Sequence, residues 1–227
     1  MRHVRKGGQP RELLDWHAAN KDIPENLFYG EAGFPKDAIK RALLREQFHL
    51  CAYTMIALDG PGDCHIEHLL PQSRHPGRST DYGNLLACYP KEAVRENAFG
   101  AMKKGGADIG LDDFVSPLHA SCETQFSYRP NGTIKGNSVA AEQTIKLLAL
   151  DHDRLKQLRQ AQIRAYGFSL RGEFPVSAAE ARREAANVLK PDVAGRLPAF
   201  CIAIAQVALT YASAKEGRGA SLASRHP

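Results

Sequence analysis

One short segment constrains the fold more than any other part of this chain. Residues 65–70, His-Ile-Glu-His-Leu-Leu, carry the apolar side chains of a short buried strand, and Pro71 ends that strand because proline cannot donate to a sheet ladder. The next segment is rich in turn-forming Ser, Gly, Pro and Asp, and Asn84 then opens the apolar run Leu-Leu-Ala-Cys. That run continues as a second strand or as the start of a helix. The pattern predicts a hairpin-like unit that brings Glu67, His68 and Asn84 together across a turn.

The order of these residues resembles the core of HNH endonucleases. The shared features are an acidic residue beside a histidine, a Pro-x-Ser stop and a later Asn-Leu-Leu. Longer stretches are similar to the PtuB-like HNH proteins, which are nuclease subunits of Septu and some retron anti-phage systems and usually pair with an ATPase. The similarity covers about residues 5–165 and lies mainly in residues 5–13, 47–53, 81–90 and 99–105.

The resemblance implies an α+β protein in which a ββα-metal nuclease core is embedded in a mainly helical chain. It also implies that the protein hydrolyses DNA phosphodiester bonds with Mg²⁺ or another divalent cation such as Mn²⁺. A role in defence against phage and an ATPase partner subunit follow from the same resemblance. Because the motif does not distinguish the sugar, an RNA-directed nuclease is an alternative.

The three central residues suit this chemistry. A neutral imidazole, with a reference pKa of roughly 6.5, can take a proton from water, so we assign His68 as the general base. Glu67 offers a hard oxygen ligand to a divalent ion, which absorbs charge that develops on the phosphate. Asn84 is expected to orient the imidazole or to pin the turn through its side-chain amide, and the simpler alternative is an ordinary turn-capping asparagine.

The sequence departs from the HNH pattern at the position of the third metal ligand. Asn97 is the nearest candidate by residue type, and His65 is the other because it lies two residues before Glu67 on the same strand face. If neither residue holds the ion, the chain is a degenerate relative that binds nucleic acid without cutting it.

A structural zinc ion is not expected. Many HNH proteins hold one with two Cys-x-x-Cys pairs, but here Thr54 follows Cys51 and Lys91 follows Cys88 at the partner positions. Isolated cysteines are more often small buried apolar groups, although four of them remain possible partial ligands: Cys51, Cys64, Cys88 and Cys122.

The charge distribution is compatible with a polyanionic partner. The net charge is +5, which favours DNA or RNA without proving either. Lys103 and Lys104 follow the motif directly, and we predict that they neutralise backbone phosphates beside the scissile strand. The basic residues between 154 and 171 could act in the same way or form a solvated helix face.

The 227 residues can bury a substantial core. We expect an HNH nuclease domain with an N-terminal helical region over residues 1–170, a helical C-terminal appendage over 171–215, and a disordered tail over 216–227 that is rich in Gly, Ser, Ala and Arg. Inside the first domain, Pro35 is expected to open a helix to about Leu50, and residues 130–132 to form a β-hairpin turn.

Cysteine usage and hydropathy bear on location. Five cysteines without regular spacing, and an N-terminus that lacks the charged-then-apolar order of a secretory leader, predict a reducing cytoplasm. The most apolar segment, residues 199–212, is too short to span a bilayer and predicts a buried helix. No membrane partner is therefore expected.

Overall fold

The computed structural model describes residues 1–92, 98–110, 113–168 and 176–223. These residues form an α+β fold with two small antiparallel sheets, so the predicted fold class is confirmed at this coarse level. Apolar side chains from both ends of the chain join one buried core that runs beneath both sheets. The expected boundary at residue 170 falls among residues 169–175, which lie outside the described ranges.

Two helices precede the first sheet. Helix α1 spans Arg11–Asn20 and buries Leu13 and Trp16. Helix α2 spans Lys36–Glu46, starts directly after Pro35 and buries an apolar stripe that includes Ile39 and Leu43. The prediction that this helix reaches Leu50 is wrong, because Phe48 and His49 take positive φ angles of 52° and 60°, which end a right-handed helix.

The predicted hairpin is present as a pair of four-residue strands. Strand β1 spans His65–His68 and strand β2 spans Leu85–Cys88. They pair antiparallel, with Glu67 opposite Leu86 and His68 opposite Leu85. The apolar run after Asn84 is therefore a strand and not the start of a helix. The short helix α3, Ala101–Lys104, follows in the chain.

The second sheet and two helices follow in the chain and share the same buried core. Strands β3, Phe126–Tyr128, and β4, Ile134–Gly136, form the hairpin that the sequence predicts. Helices α4, Val139–Leu148, and α5, Asp153–Ala165, follow them. The buried guanidinium of Arg159 ties the hairpin turn to the end of α4, because it donates to the Gly132 carbonyl at 2.7 Å and to the Leu150 carbonyl at 2.8 Å.

The last two helices pack against the rest of the chain. Helix α6 spans Ala178–Asn187 and begins with a capping box between Ser177 and Glu180. Helix α7 spans Cys201–Ala223, and Gln206 on it hydrogen-bonds to the backbone of β3. The predicted C-terminal appendage is therefore helical and lies on the core.

Residues 216–223, which the sequence predicts to be disordered, are part of helix α7. Helix α7 continues to Ala223, and the Arg182 side chain on α6 donates to Glu216 at 3.0 Å, which fixes this turn against α6. Residues 224–227 lie outside the described ranges. Within those ranges, every helix is too short or too polar to cross a bilayer.

Candidate functional site

Glu67 lies at the centre of a small buried network. Its Oε1 accepts a hydrogen bond from the Lys104 ammonium at 2.8 Å and a longer one from the Tyr53 hydroxyl at 3.4 Å. Burial raises the pKa of the Glu67 carboxyl, and the nearby ammonium offsets part of that rise. Its second oxygen, Oε2, faces His65 Nε2 at 3.9 Å.

His65 shares a strand face with Glu67, as the alternation of β1 predicts. Its Nδ1 bonds to the Pro90 carbonyl, and because a carbonyl can only accept, this nitrogen carries the proton. The lone pair is then on Nε2, the atom nearest Glu67. Burial lowers the pKa of the His65 imidazole, which favours the neutral ring.

His68 has the opposite tautomer. Its Nε2 bonds to the Ser79 carbonyl at 2.8 Å and must carry the proton, so Nδ1 holds the lone pair. The Gln72 side-chain amide donates to Nδ1 at 3.2 Å, and the Tyr29 ring packs edge-on with its centroid 4.8 Å from that of the imidazole. Burial lowers the pKa of His68, so the ring is a neutral base near pH 7.

The carboxylate and the base do not converge as the sequence predicts. Adjacent residues of a strand point to opposite faces, and within the described ranges the side chains of Glu67 and His68 have no common hydrogen-bond partner. Lys104 provides the closest link between them. Its ammonium donates to Glu67 Oε1 and, at 2.9 Å, to the backbone carbonyl of His68.

Asn84 pins the turn and does not touch the imidazole. Its Oδ1 accepts from the Leu70 N–H at 2.8 Å, while Nδ2 donates to the carbonyls of Leu70 at 3.0 Å and Arg78 at 3.1 Å. Both amide hydrogens are used, and the residue is only 1% exposed. Asn84 therefore makes no direct hydrogen bond to His68, and its side-chain amide pins the turn, which is the other role expected for it.

The remaining predicted site residues are Lys104, Lys103 and Asn97. Lys104 cannot reach a backbone phosphate as predicted, because its side chain is 1% exposed and its ammonium faces inward. Lys103 is exposed and forms no hydrogen bond or ion pair with any described residue. Asn97 lies outside the described ranges, so only His65 remains there as a candidate for the third ligand position.

His65 and Glu67 offer two donor atoms that could hold a divalent cation. The Nε2 lone pair and the free Oε2 face each other, and the carbonyl bond to Nδ1 is the kind of partner that fixes a metal-binding imidazole. Together they provide two protein ligands, and a hard ion such as Mg²⁺ keeps several waters in any case. An imidazole nitrogen suits a transition metal better than Mg²⁺. In the described ranges, no cluster of three or more His, Cys, Asp or Glu side chains is suited to hold a metal ion.

Of the four cysteines named as possible partial zinc ligands, the fold brings Cys51 and Cys88 together. The thiols of Cys51 and Cys88 and the Thr54 hydroxyl meet beside Tyr89, whose N–H donates to Cys51 Sγ at 3.4 Å. Burial alone raises the pKa of the Cys51 thiol, but hydrogen bonds from Cys88 and Thr54 bring it down to about 6. Two thiols and a hydroxyl fall short of the four ligands of a structural zinc site.

Several residues of the site are not predicted from the sequence. Gln72 follows the strand-ending proline, and its position one turn after His68 could have suggested a contact. Tyr29, Tyr53 and Ser79 lie far from the motif or act through the backbone, and no spacing pattern in the chain identifies them. A comparison with models of known protein families and with curated proteins finds no match for this chain.

Proposed function

We propose that this protein is a metal-dependent HNH-type endonuclease that hydrolyses DNA phosphodiester bonds. One observation carries the proposal: two backbone carbonyls hold His65 and His68 in complementary neutral tautomers. The free nitrogen of His65 faces a carboxylate, as a metal ligand requires, and the free nitrogen of His68 faces an exposed side chain, as a general base requires.

The proton-accepting atom is Nδ1 of His68. A water that replaces the Gln72 amide at this nitrogen can give up its proton there as its oxygen attacks the phosphorus. The P–O bond to the leaving oxygen then breaks, and that oxygen takes up a proton from solvent water. As the imidazole becomes positively charged, the Ser79 carbonyl stabilises it through the Nε2–H bond. The edge of Tyr29 limits rotation of the ring, so the lone pair keeps its direction.

Glu67 and His65 form the cation-binding side of the proposed site. A bound divalent cation would supply charge stabilisation to the phosphate and to the leaving oxygen. Tyr53 and Lys104 hold the Glu67 carboxylate in place, and Pro90 holds His65. Lys103 is exposed on α3 and is proposed to meet the substrate backbone.

A second candidate function is supported by two observations. Lys104 already neutralises Glu67, and the carboxylate and His68 leave β1 on opposite faces. A catalytically degenerate subunit that clamps nucleic acid without cutting it would have both features. The resemblance to PtuB-like proteins supports a defence role with an ATPase partner under either reading.

Supercoiled plasmid incubated with the purified protein and Mg²⁺ or Mn²⁺ tests the proposal. We expect nicking by the wild type and by His119→Ala, which removes an exposed histidine, and none by His68→Ala. Circular dichroism confirms that each variant is folded. Intact plasmid together with equal DNA binding by wild type and His68→Ala would support the clamp instead.

Two further measurements define the substrate and the context. A structured RNA in the same reaction separates the RNA-directed alternative, which predicts RNA cleavage at least as fast as DNA nicking. Phage plaque counts on cells that express the wild type or His68→Ala, each with a candidate ATPase subunit, test the defence role. Equal plaque counts for the two would argue against it.

A further inference from the structure

Lys104 is a buried cation directly beside the proposed metal ligands. Its side chain is 1% exposed, and its ammonium reaches Glu67 Oε1 at 2.8 Å and the His68 carbonyl at 2.9 Å. The neighbouring Lys103, one residue earlier on the same short helix, is exposed. The fold therefore turns one of two consecutive lysines into the protein.

The backbone around α3 fixes this inward direction. Gly100 and Gly105 flank the helix with φ angles of 62° and 52°, which L side chains rarely adopt. The Lys104 N–H bonds to the Gly100 carbonyl at 3.1 Å. A Cβ on Gly100 would lie 3.0 Å from Thr54 Cγ2, so the helix start packs closely on the Cys51–Thr54 region. These contacts aim the lysine at Glu67.

The ammonium and a divalent ion would compete for the same carboxylate. A buried carboxylate needs a counter-charge, and Lys104 provides it through Oε1. Only Oε2, next to His65 Nε2, remains open. A second cation bound there would lie a few ångströms from a fixed positive charge in a region of reduced dielectric, and this repulsion weakens its binding.

We propose that Lys104 is a resident cation of the site that neutralises Glu67, confines a divalent ion to the Oε2–His65 side and keeps its affinity low. The inference deepens the proposed nuclease function, since it concerns how that site binds its metal. It makes Lys104 a positioning residue and not a phosphate contact.

Replacing Lys104 should tighten metal binding, which a merely structural lysine would not do. We compare the wild type, Lys104→Met and Lys103→Met for Mn²⁺ affinity, measured on the full chain by electron paramagnetic resonance of free Mn²⁺. Loss of a unit charge this close to the ion should lower the Mn²⁺ Kd of Lys104→Met by about tenfold or more. Lys103→Met, which removes an exposed charge, should change that Kd by less than about twofold because water and salt screen it.

Two further variants test whether the charge of Lys104 causes the change in Mn²⁺ affinity. Lys104→Arg keeps the charge and should keep weak binding, whereas Lys104→Met combined with Glu67→Gln should fold without a buried unpaired charge and lose the gain. If Lys104→Met is unfolded alone, Mn²⁺ should refold it, as seen by circular dichroism. Mn²⁺ binding to folded Lys104→Met that is no tighter than to the wild type, or failure of Mn²⁺ to refold an unfolded variant, would overturn the inference.

The outcome separates this inference from the proposed function. Tighter Mn²⁺ binding by Lys104→Met with no plasmid nicking by any variant would support the resident cation and contradict the nuclease. Plasmid nicking by the wild type with an unchanged Mn²⁺ Kd in Lys104→Met would support the nuclease and contradict the resident cation.

Discussion

The side chain of Asn84 holds both backbone polar groups of Leu70. Its Oδ1 accepts from the Leu70 N–H at 2.8 Å and its Nδ2 donates to the Leu70 carbonyl at 3.0 Å. A side-chain amide thereby replaces a strand partner just beyond β1, where Leu69 still bonds to the Asn84 carbonyl. The residue thus fixes the end of the strand that carries Glu67 and His68.

Replacing Asn84 should destabilise the fold. Asn84→Asp keeps the acceptor for Leu70 but loses both donors and turns a carboxylate toward two carbonyls, so we expect a loss of about 3 kcal/mol in the free energy of unfolding. Asn187→Ala, at an exposed position near the end of α6, should change it by less than about 0.5 kcal/mol. Urea unfolding followed by circular dichroism measures both, and similar values for the two variants would refute the role of Asn84.

Two glycines with similar backbone angles make a matched pair. Gly132 has a φ of 79° and a Cβ there would lie 2.1 Å from the Lys156 carbonyl oxygen, whereas Gly195 has a φ of 73° and open space around it. Gly195→Ala should cost only the left-handed backbone penalty, about 1–2 kcal/mol. Gly132→Ala adds a backbone collision and displaces the carbonyl that binds Arg159, so a loss above about 4 kcal/mol is expected. Thermal unfolding tests the difference, and equal shifts in Tm would contradict it.

Alkaline pH should unfold the protein through its buried tyrosines. Burial raises the pKa of Tyr53, Tyr82 and Tyr128, and hydrogen bonds to Glu67 and Glu46 add to this for the first two. The phenols of the unfolded chain ionise at about pH 10, whereas those of the folded protein ionise only at higher pH. The three tyrosines therefore contribute their full stabilisation of the fold below about pH 10, and this contribution is lost as the pH rises further. Tm should therefore fall above about pH 10.

Near-ultraviolet absorbance distinguishes tyrosine ionisation from chemical damage of the protein by alkali. Tyrosinate absorbance of the buried residues should appear together with the loss of secondary structure. Tyr128→Phe should reduce the slope of Tm against pH. Full tyrosinate absorbance in a protein that keeps its native circular dichroism would contradict the prediction.

Removing His65 should weaken metal binding. His65→Ala loses the Nε2 donor beside Glu67 Oε2, and loss of one of two protein ligands should raise the Mn²⁺ Kd by at least about tenfold. His75→Ala, which removes a histidine that pairs with Asp108 on the outer turn, is the matched control and should leave that Kd unchanged. Calorimetric titration with Mn²⁺ measures both, and equal affinities would exclude His65 as a ligand.

Local patterns in the sequence predicted the elements that carry the site. Strand alternation and Pro71 predicted β1, and the apolar run after Asn84 gave β2 as one of two options. The hairpin around Gly132 and the start of α2 at Pro35 were also correct. The end of α2 was not, because the positive φ angles at Phe48 and His49 depend on how the following segment packs.

Residue order along the chain determined by itself that the Glu67 carboxylate and the imidazoles of His65 and His68 lie on one short strand of a hairpin. Only the tertiary structure decided what each one does. The tautomers of His65 and His68 depend on carbonyls from Pro90 and Ser79, and Lys104 points inward while Lys103 does not. Spacing along a chain cannot reveal these choices, because they follow from which distant backbone groups need a hydrogen-bond partner when the core closes.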